Sequence, residues 1–248
     1  MHILGDIGNT DTKLFLVSAK HKIIKKLTFP SKNLNQNKLS KYFSLLKPNY
    51  QKINKILFCS VVPKSFNLIK KFLSKKTKIN CYEVKDLNLK SLIKIKVNYK
   101  QVGSDRITNA ISLINNKNNF IILDFGTATT FDVLIKDTYS GGIIAPGIRL
   151  SLDTLSDKAT LIPKINLKMI KNVIGNDTVS AVRSGFFWGY AGLIDNIIKL
   201  IKKETRKSFK VIITGGFSNL FKKSINTKVY HNKDITINGL IKISKLIK

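Results

Sequence analysis

Two stretches of this chain carry residue types suited to phosphate and cation chemistry. Ile3-Leu4-Gly5-Asp6-Ile7-Gly8-Asn9-Thr10 is followed by Lys13-Leu14-Phe15-Leu16-Val17, and Ile121-Ile122-Leu123-Asp124-Phe125-Gly126-Thr127-Ala128 by Phe131 to Ile135. In each, an apolar run delivers an aspartate, Asp6 or Asp124, to its own end, and the pattern Asp-x-Gly-x-Thr leads into a second apolar run. Each reads as strand, tight turn, strand. A carboxylate is a hard oxygen ligand for magnesium or potassium. Glycine lets backbone approach a phosphate, and turn amides with threonine hydroxyls donate to its oxygens. Lys13 stands just past the first turn, within reach of a phosphate. Asp-Gly and Asn-Thr are also ordinary hairpin residues. Their repetition near the start of each half predicts a duplicated fold with two acidic tips facing one cleft.

Gly103-Ser104-Asp105-Arg106 precedes Ile107, Ala110, Ile111 and Ile114, which recur at i, i+3, i+4 and i+7. That spacing predicts an amphipathic helix starting at Ser104 or Asp105. Two readings are open. Ser-Asp is an ordinary N-cap with a solvated arginine beside it. Alternatively, Asp105 is a general base and Arg106 an anion-binding group. A helix N-terminus stabilises a carboxylate and keeps it a weak base. Phosphoryl transfer tolerates this, because its loose transition state needs little early proton abstraction.

The remaining segments must position these groups. Leu39 to Leu46, and Phe66 to Leu73, have helical spacing; Ile53 to Val62 and Ile79 to Val84 read as strands. Strand alternating with helix predicts an α/β arrangement. Polar Asn115 to Asn119 marks a boundary between domains 1–116 and 117–248. Gly141 to Gly147 reads as a glycine turn, a short strand and a turn, its glycines serving either a ligand or the turns. Asn176-Asp177-Thr178 caps a helix running to about Lys202; Thr178 is a cap or a ligand contact. On that helix Ala181, Gly185, Trp188 and Gly192 share one face, suited to close packing in the core or across a dimer. Val211 to Gly216 is a buried strand ending in a glycine pair. Ligands of open α/β sheets bind beyond such strand ends, so Gly215 and Gly216 are candidate nucleotide neighbours.

The 248 residues carry 44 Lys and Arg against 14 Asp and Glu, a net charge of +30. Such a field attracts nucleic acid, acidic membranes and anionic substrates. The lysines are spread evenly, however, and no basic stripe with interleaved aromatics stands out. Lys, Asn and Ile share A/T-rich codons, so base composition accounts for the charge and nucleic acid is not the expected partner. No apolar run reaches membrane-span length, and the chain opens directly on a strand, which predicts neither a span nor a signal peptide. The spacing of two cysteines and three scattered histidines predicts neither a zinc site nor a histidine triad. Two reduced thiols fit a cytoplasmic protein. P-loop and G-x-G-x-x-G patterns are absent.

Taken in order, Asp6 to Thr10 with Lys13, Gly103 to Arg106, Asp124 to Thr130, Gly141 to Gly147, Thr178 with Gly185, and Thr214-Gly215-Gly216 resemble type III pantothenate kinase, of the acetate and sugar kinase, Hsp70 and actin superfamily. The resemblance implies two ribonuclease-H-like (actin-like ATPase) domains with a cleft between them, a homodimer, and ATP-dependent phosphorylation of pantothenate. It implies that Asp6, Ile7, Gly8, Asn9, Thr10, Asp11, Thr12 and Lys13 line the ATP phosphates, with Asp6 organising Mg2+. Thr127 would also contact the nucleotide. Asp124 would hold a monovalent cation, K+ or NH4+. Tyr99, Gly103, Ser104, Asp105, Arg106 and Thr178 would contact pantothenate, with Asp105 as base. The family commonly has Ala in place of Ser104 and Trp in place of Ile107, and this chain has no proline beside Tyr99. Two rivals are a phosphohydrolase of the same superfamily and a transcription-accessory or nucleic-acid-binding protein.

Overall fold

A computed structural model describes residues 1–247. The chain divides into two compact units. The first is Met1–Ile114 together with the segment from Asp234 onward; the second is Asn115–Lys233.

In the first unit, β1 (His2–Ile7), β2 (Asp11–Val17), β3 (Ile23–Pro30), β4 (Lys55–Ser60) and β5 (Cys81–Glu83) form a sheet ordered β3-β2-β1-β4-β5. β1–β2 and β2–β3 pair antiparallel, and β1–β4 and β4–β5 parallel. Tight turns allow the antiparallel pairs, whereas the parallel pairs need helical crossovers. α1 (Gln36–Leu46) and α2 (Pro63–Ser74) supply them. Their buried Leu39, Phe43, Ile69 and Phe72 cover Ile3, Leu14, Ile56 and Phe58 of the sheet. The edge strand β3 exposes Ile23, Ile24, Lys25 and Lys26; lysines on an edge discourage pairing with other chains. A two-residue strand, β6 (Lys94–Ile95), precedes α3 (Ser104–Leu113).

The second unit repeats this plan. β7 (Asn119–Phe125), β8 (Ala128–Ile135), β9 (Thr138–Pro146), β10 (Lys210–Gly215) and β11 (Val229–His231) run in the order β11-β10-β7-β8-β9. Again the first two hairpin pairings are antiparallel and the two pairings on the other side parallel. α4 (Ile148–Lys158), α5 (Thr178–Thr205) and the single turn α6 (Ser218–Phe221) complete it. Leu152, Phe187, Ile194, Ile198 and Phe221 pack with Ile121, Leu123, Phe131 and Ile213. Both units thus have the order and strand senses of a ribonuclease-H-like sheet, and the duplication expected from the two acidic hairpins is present.

Three expectations are corrected. The segment Gly141 to Gly147 is not turn, strand, turn: Gly141 and Gly142 lie within β9, where the register shifts beside Val133 and Gly141 takes φ +127°. The glycines absorb the irregularity without breaking the strand. α3 starts at Ser104, as the spacing predicts, but its N-cap is Gly103 and not the Ser-Asp pair. Finally, the second domain does not run from 117 to 248. α7 (Ile235–Ser244) packs on α3, β1 and β4 of the first unit. Thr236 Oγ1 donates to Asn109 Oδ1 at 2.8 Å, and the Lys242 ammonium donates to the carbonyls of Ile111 (3.2 Å) and Ser112 (2.7 Å). Lys242 thereby satisfies carbonyls at the end of α3 that have no partner within the helix.

Candidate active site

At the carboxyl ends of β1 and β4 the first unit gathers acidic groups. Asp6 sits opposite Lys13 across the hairpin and beside Cys59 on β4. Its carboxylate is held from both sides: Lys13 Nζ lies 3.4 Å from Oδ2, and the Cys59 thiol donates to Oδ1 at 3.6 Å. Cys59 is fully buried, and burial pushes its thiol pKa well up, helped by the carboxylates of Asp6, Asp105 and Glu83. The thiol therefore stays protonated and acts as a donor. The hairpin tip is closed by Gly8 N–H donating to Asp11 O at 3.0 Å, and Asn9, Thr10 and Asp11 are exposed there. Ile7 is buried, so only its backbone faces the tip. Thr12 is also buried, with its hydroxyl 2.8 Å from Ser31 Oγ. That contact braces the hairpin.

α3 enters the same end of the sheet. Ser104 is buried; its hydroxyl accepts from Ser60 N–H (2.8 Å) and donates to Ser60 O (3.0 Å). This two-way clamp ties the start of α3 to the end of β4 and so positions the residues beside Ser104. Asp105 is half-buried and accepts the Arg106 N–H at 2.8 Å. A Cβ on Gly103 would lie 2.4 Å from Asp105 Oδ1; glycine leaves the room this carboxylate occupies. Tyr99 stands one turn earlier. Its hydroxyl is buried without a hydrogen-bond partner among the described residues, and burial, then Glu83 and Asp86, pushes its pKa up to about 12. The Lys85 ammonium lies 5.6 Å from its ring centre. With Leu87, Leu89, Ile93 and Ile95, Tyr99 lines a pocket of about 550 Å³.

The second unit has its own cluster. Asp124 lies near the end of β7, opposite Thr130 on β8 and Thr214 on β10. The turn closes by Gly126 N–H donating to Ala128 O at 3.1 Å and leaves Thr127 exposed. A Cβ on Gly147 would come within 2.0 Å of Thr127 O. Gly215 has φ +85°, and a Cβ there would meet Asp124 Oδ1 at 2.6 Å; Gly216 N–H donates to Phe125 O at 3.0 Å. Glycine is required at 215 both by that backbone conformation and by the carboxylate beside it. Thr178 is exposed as the first residue of α5; Asp177 is the N-cap, accepting Ser180 N–H at 2.8 Å. Those hydrogen bonds hold the Asp177 carboxyl below its usual range.

The structure thus brings Asp6, Lys13, Asp105 and Arg106 into one unit and Asp124, Thr127 and Thr178 into the other, and turns Thr12 and Ser104 inward. Among the described residues no helix is long and apolar enough to cross a membrane. Sequence reading passed over Cys59 and Glu83, since neither lies in a motif; only strand register brings Cys59 beside Asp6.

A profile of the type III pantothenate kinase family matches residues 2–200. The chain belongs to that family. It is 66% identical over 248 residues, the whole of both chains, to the type III pantothenate kinase of Pelagibacter ubique (strain HTCC1062). It is 34% identical over 254 residues to that of Sulfurihydrogenibium sp. (strain YO3AOP1), covering 99% of this chain and 100% of the other. A ROK family glucokinase from Streptomyces griseus, in complex with glucose and AMPPNP, shares the fold at a TM-score of 0.54, 10% identity, and coverage of 99% and 98%. As a member of that family this chain is a kinase, and its two-sheet fold is the one the glucokinase shares.

Proposed function

We propose that this protein transfers the γ-phosphoryl group of ATP to the primary hydroxyl of pantothenate, giving 4′-phosphopantothenate and ADP, the first step of coenzyme A synthesis. The observation that carries the reading is Asp105, at the start of a helix clamped by Ser104 to the strand beside Asp6. Membership of the kinase family supports it. The pantothenate hydroxyl oxygen forms the new bond to γ-phosphorus, the bond from phosphorus to the β–γ bridging oxygen breaks, and Asp105 accepts the hydroxyl proton. Arg106 pairs with an anionic group of the substrate or of the transferring phosphoryl. Tyr99, Gly103, Ser104 and Thr178 contact pantothenate. The tip from Asp6 to Lys13 and Thr127 hold the nucleotide, and the Gly215-Gly216 turn approaches it.

Asp6 suits Mg2+, because that ion is bound through one or two carboxylates plus substrate phosphates and keeps its waters. When bound it supplies positive charge to the phosphate oxygens. Asp124 holds K+ or NH4+. The protein works in the cytoplasm as a homodimer. Supporting a dimer, Gly185, Gly189 and Gly192 on α5 have open space where a side chain would stand, and Trp188 beside them is exposed. The glycines of the face found in the sequence are therefore not spent on packing within their own chain.

ADP release from ATP, with and without pantothenate and with sodium replacing potassium, tests the reading. Pantothenate-dependent ADP and a loss of rate in sodium are expected. Free phosphate released without pantothenate dependence would identify a hydrolase instead. Asp105→Asn should fold and turn over about 10²–10⁴-fold more slowly, the usual scale for a positioned acid or base. Near-normal turnover would remove Asp105 as the base.

A further inference from the structure

We infer that His231 and Ser218 are positioning residues for the nucleotide, acting through the Gly215-Gly216 turn. This rests on the kinase reading, in which that turn approaches the nucleotide. His231 ends β11 and sits opposite Ile213 on β10. Ser218 opens α6 and is buried. Ser218 Oγ donates to Gly215 O at 2.7 Å and lies 3.0 Å from His231 Nε2.

A serine beside a histidine invites comparison with an activated nucleophile, but the proton count points elsewhere. A hydroxyl has one proton, and a carbonyl only accepts. The Ser218 proton is therefore committed to Gly215 O, and the hydroxyl has only a lone pair to offer the imidazole. His231 Nε2 must carry the hydrogen. The ring is a donor at the head of a relay, His231 to Ser218 to Gly215 O, and takes no proton from the serine.

The relay ends on a backbone segment that has little freedom elsewhere. Gly215 is left-handed and lies against Asp124 Oδ1, and Gly216 N–H is held by Phe125 O. Ser218 fixes the carbonyl of Gly215, and His231 fixes Ser218. Asn232 N–H donates to Ile213 O at 2.9 Å and anchors the chain just past the histidine. The end of β11, otherwise a three-residue strand of no evident use, thus sets the peptide plane between the two glycines.

Two measurements on the full-length protein test this. Nitrogen-15 NMR of the imidazoles, with His231 identified by its disappearance in His231→Gln, should show the neutral ring protonated at Nε2. A neutral ring protonated at Nδ1 would overturn the relay, and this result does not depend on any variant being active. Steady-state kinetics of His231→Ala should show the KM for ATP raised about three- to tenfold, the scale of one lost hydrogen bond. The kcat and the KM for pantothenate should stay within about twofold. His231→Gln, whose amide can still donate, should recover the ATP value; equal effects of Ala and Gln, or an unchanged KM for ATP in His231→Ala, would overturn the positioning role. If the wild-type protein makes no pantothenate-dependent ADP while Nε2 is protonated, the kinase reading fails and the hydrogen-bond relay stands.

Discussion

Cys59, Cys81 and His2 are ionisable side chains that folding holds uncharged. Burial raises Cys59 well above its ordinary range and Cys81 to about 12. Only thiolates react with disulfide reagents at appreciable rates. In the native protein at pH about 8, neither thiol should react with a chromogenic disulfide within minutes, and both should react in denaturant. Rapid native labelling would mean that Cys59 is not the protonated donor to Asp6 described above. His2 moves the other way in charge but for the same reason. Burial first, then the positive N-terminal amine, Lys55 and His21, lowers its pKa from 6.5 to about 4. The unfolded chain therefore takes up the proton first on acidification. The contribution to stability is complete above pH 6.5 and is lost as pH falls towards 4, by at most about 3 kcal/mol. Urea unfolding of the wild type should lose more stability between pH about 7.5 and 4.5 than His2→Gln, whose side chain does not titrate. Parallel pH profiles for the two proteins would refute the assignment.

At the scale of elements, α3 carries the proposed base, and both its ends are fixed from elsewhere in the first unit. Ser104 holds its start to β4, while α7 holds its middle and end. The α3–α7 crossing is close because Gly239 has no side chain: a Cβ there would come within 2.0 Å of Thr108 O. Backbone cannot yield as a flexible side chain does, so Gly239→Ala must push the helices apart. It should cost about 1–3 kcal/mol, as overpacking does, and lower turnover because α3 shifts with Asp105. Unfolding midpoints and kcat unchanged from wild type would show that α7 does not set the position of α3. This arrangement was the least legible part of the fold. Nothing in the sequence of the last segment says which sheet its helix covers. The acidic hairpins were legible because alternation, turn glycines and Asp-x-Gly-x-Thr agree locally. β11 was missed because three residues hold no period, and His231 and Ser218 meet only once β10 and β11 pair. Thr12 and Ser104 lie among the candidate site residues, and only strand and helix register shows that their hydroxyls face inward.

The whole molecule presents a charge and an open face that pull in opposite directions. At +30 per chain, two copies repel one another across any contact. Yet α5 offers Gly185, Gly189 and Gly192 with nothing within 4 Å of an added side chain, and Trp188 is 37% exposed beside them. Leu161 and Ile174 of the same unit are 89% exposed. Small residues let backbones approach, and the apolar side chains supply the gain from burial that must exceed the repulsion. Salt shortens the range of the repulsion to about 8 Å at physiological strength and leaves apolar burial intact. Association should therefore tighten as sodium chloride rises from about 50 to about 300 mM, whereas any retention on DNA should weaken steeply over the same range. Light scattering should give the mass of two chains for the wild type. Gly189→Arg, for which a single chain has room, should give the mass of one while leaving the secondary-structure spectrum unchanged. A wild-type mass of one chain at all salt concentrations, or a dimer that salt dissociates, would show that the open face of α5 is not where two copies meet, and would return the +30 charge to consideration as a binding surface for an anionic partner.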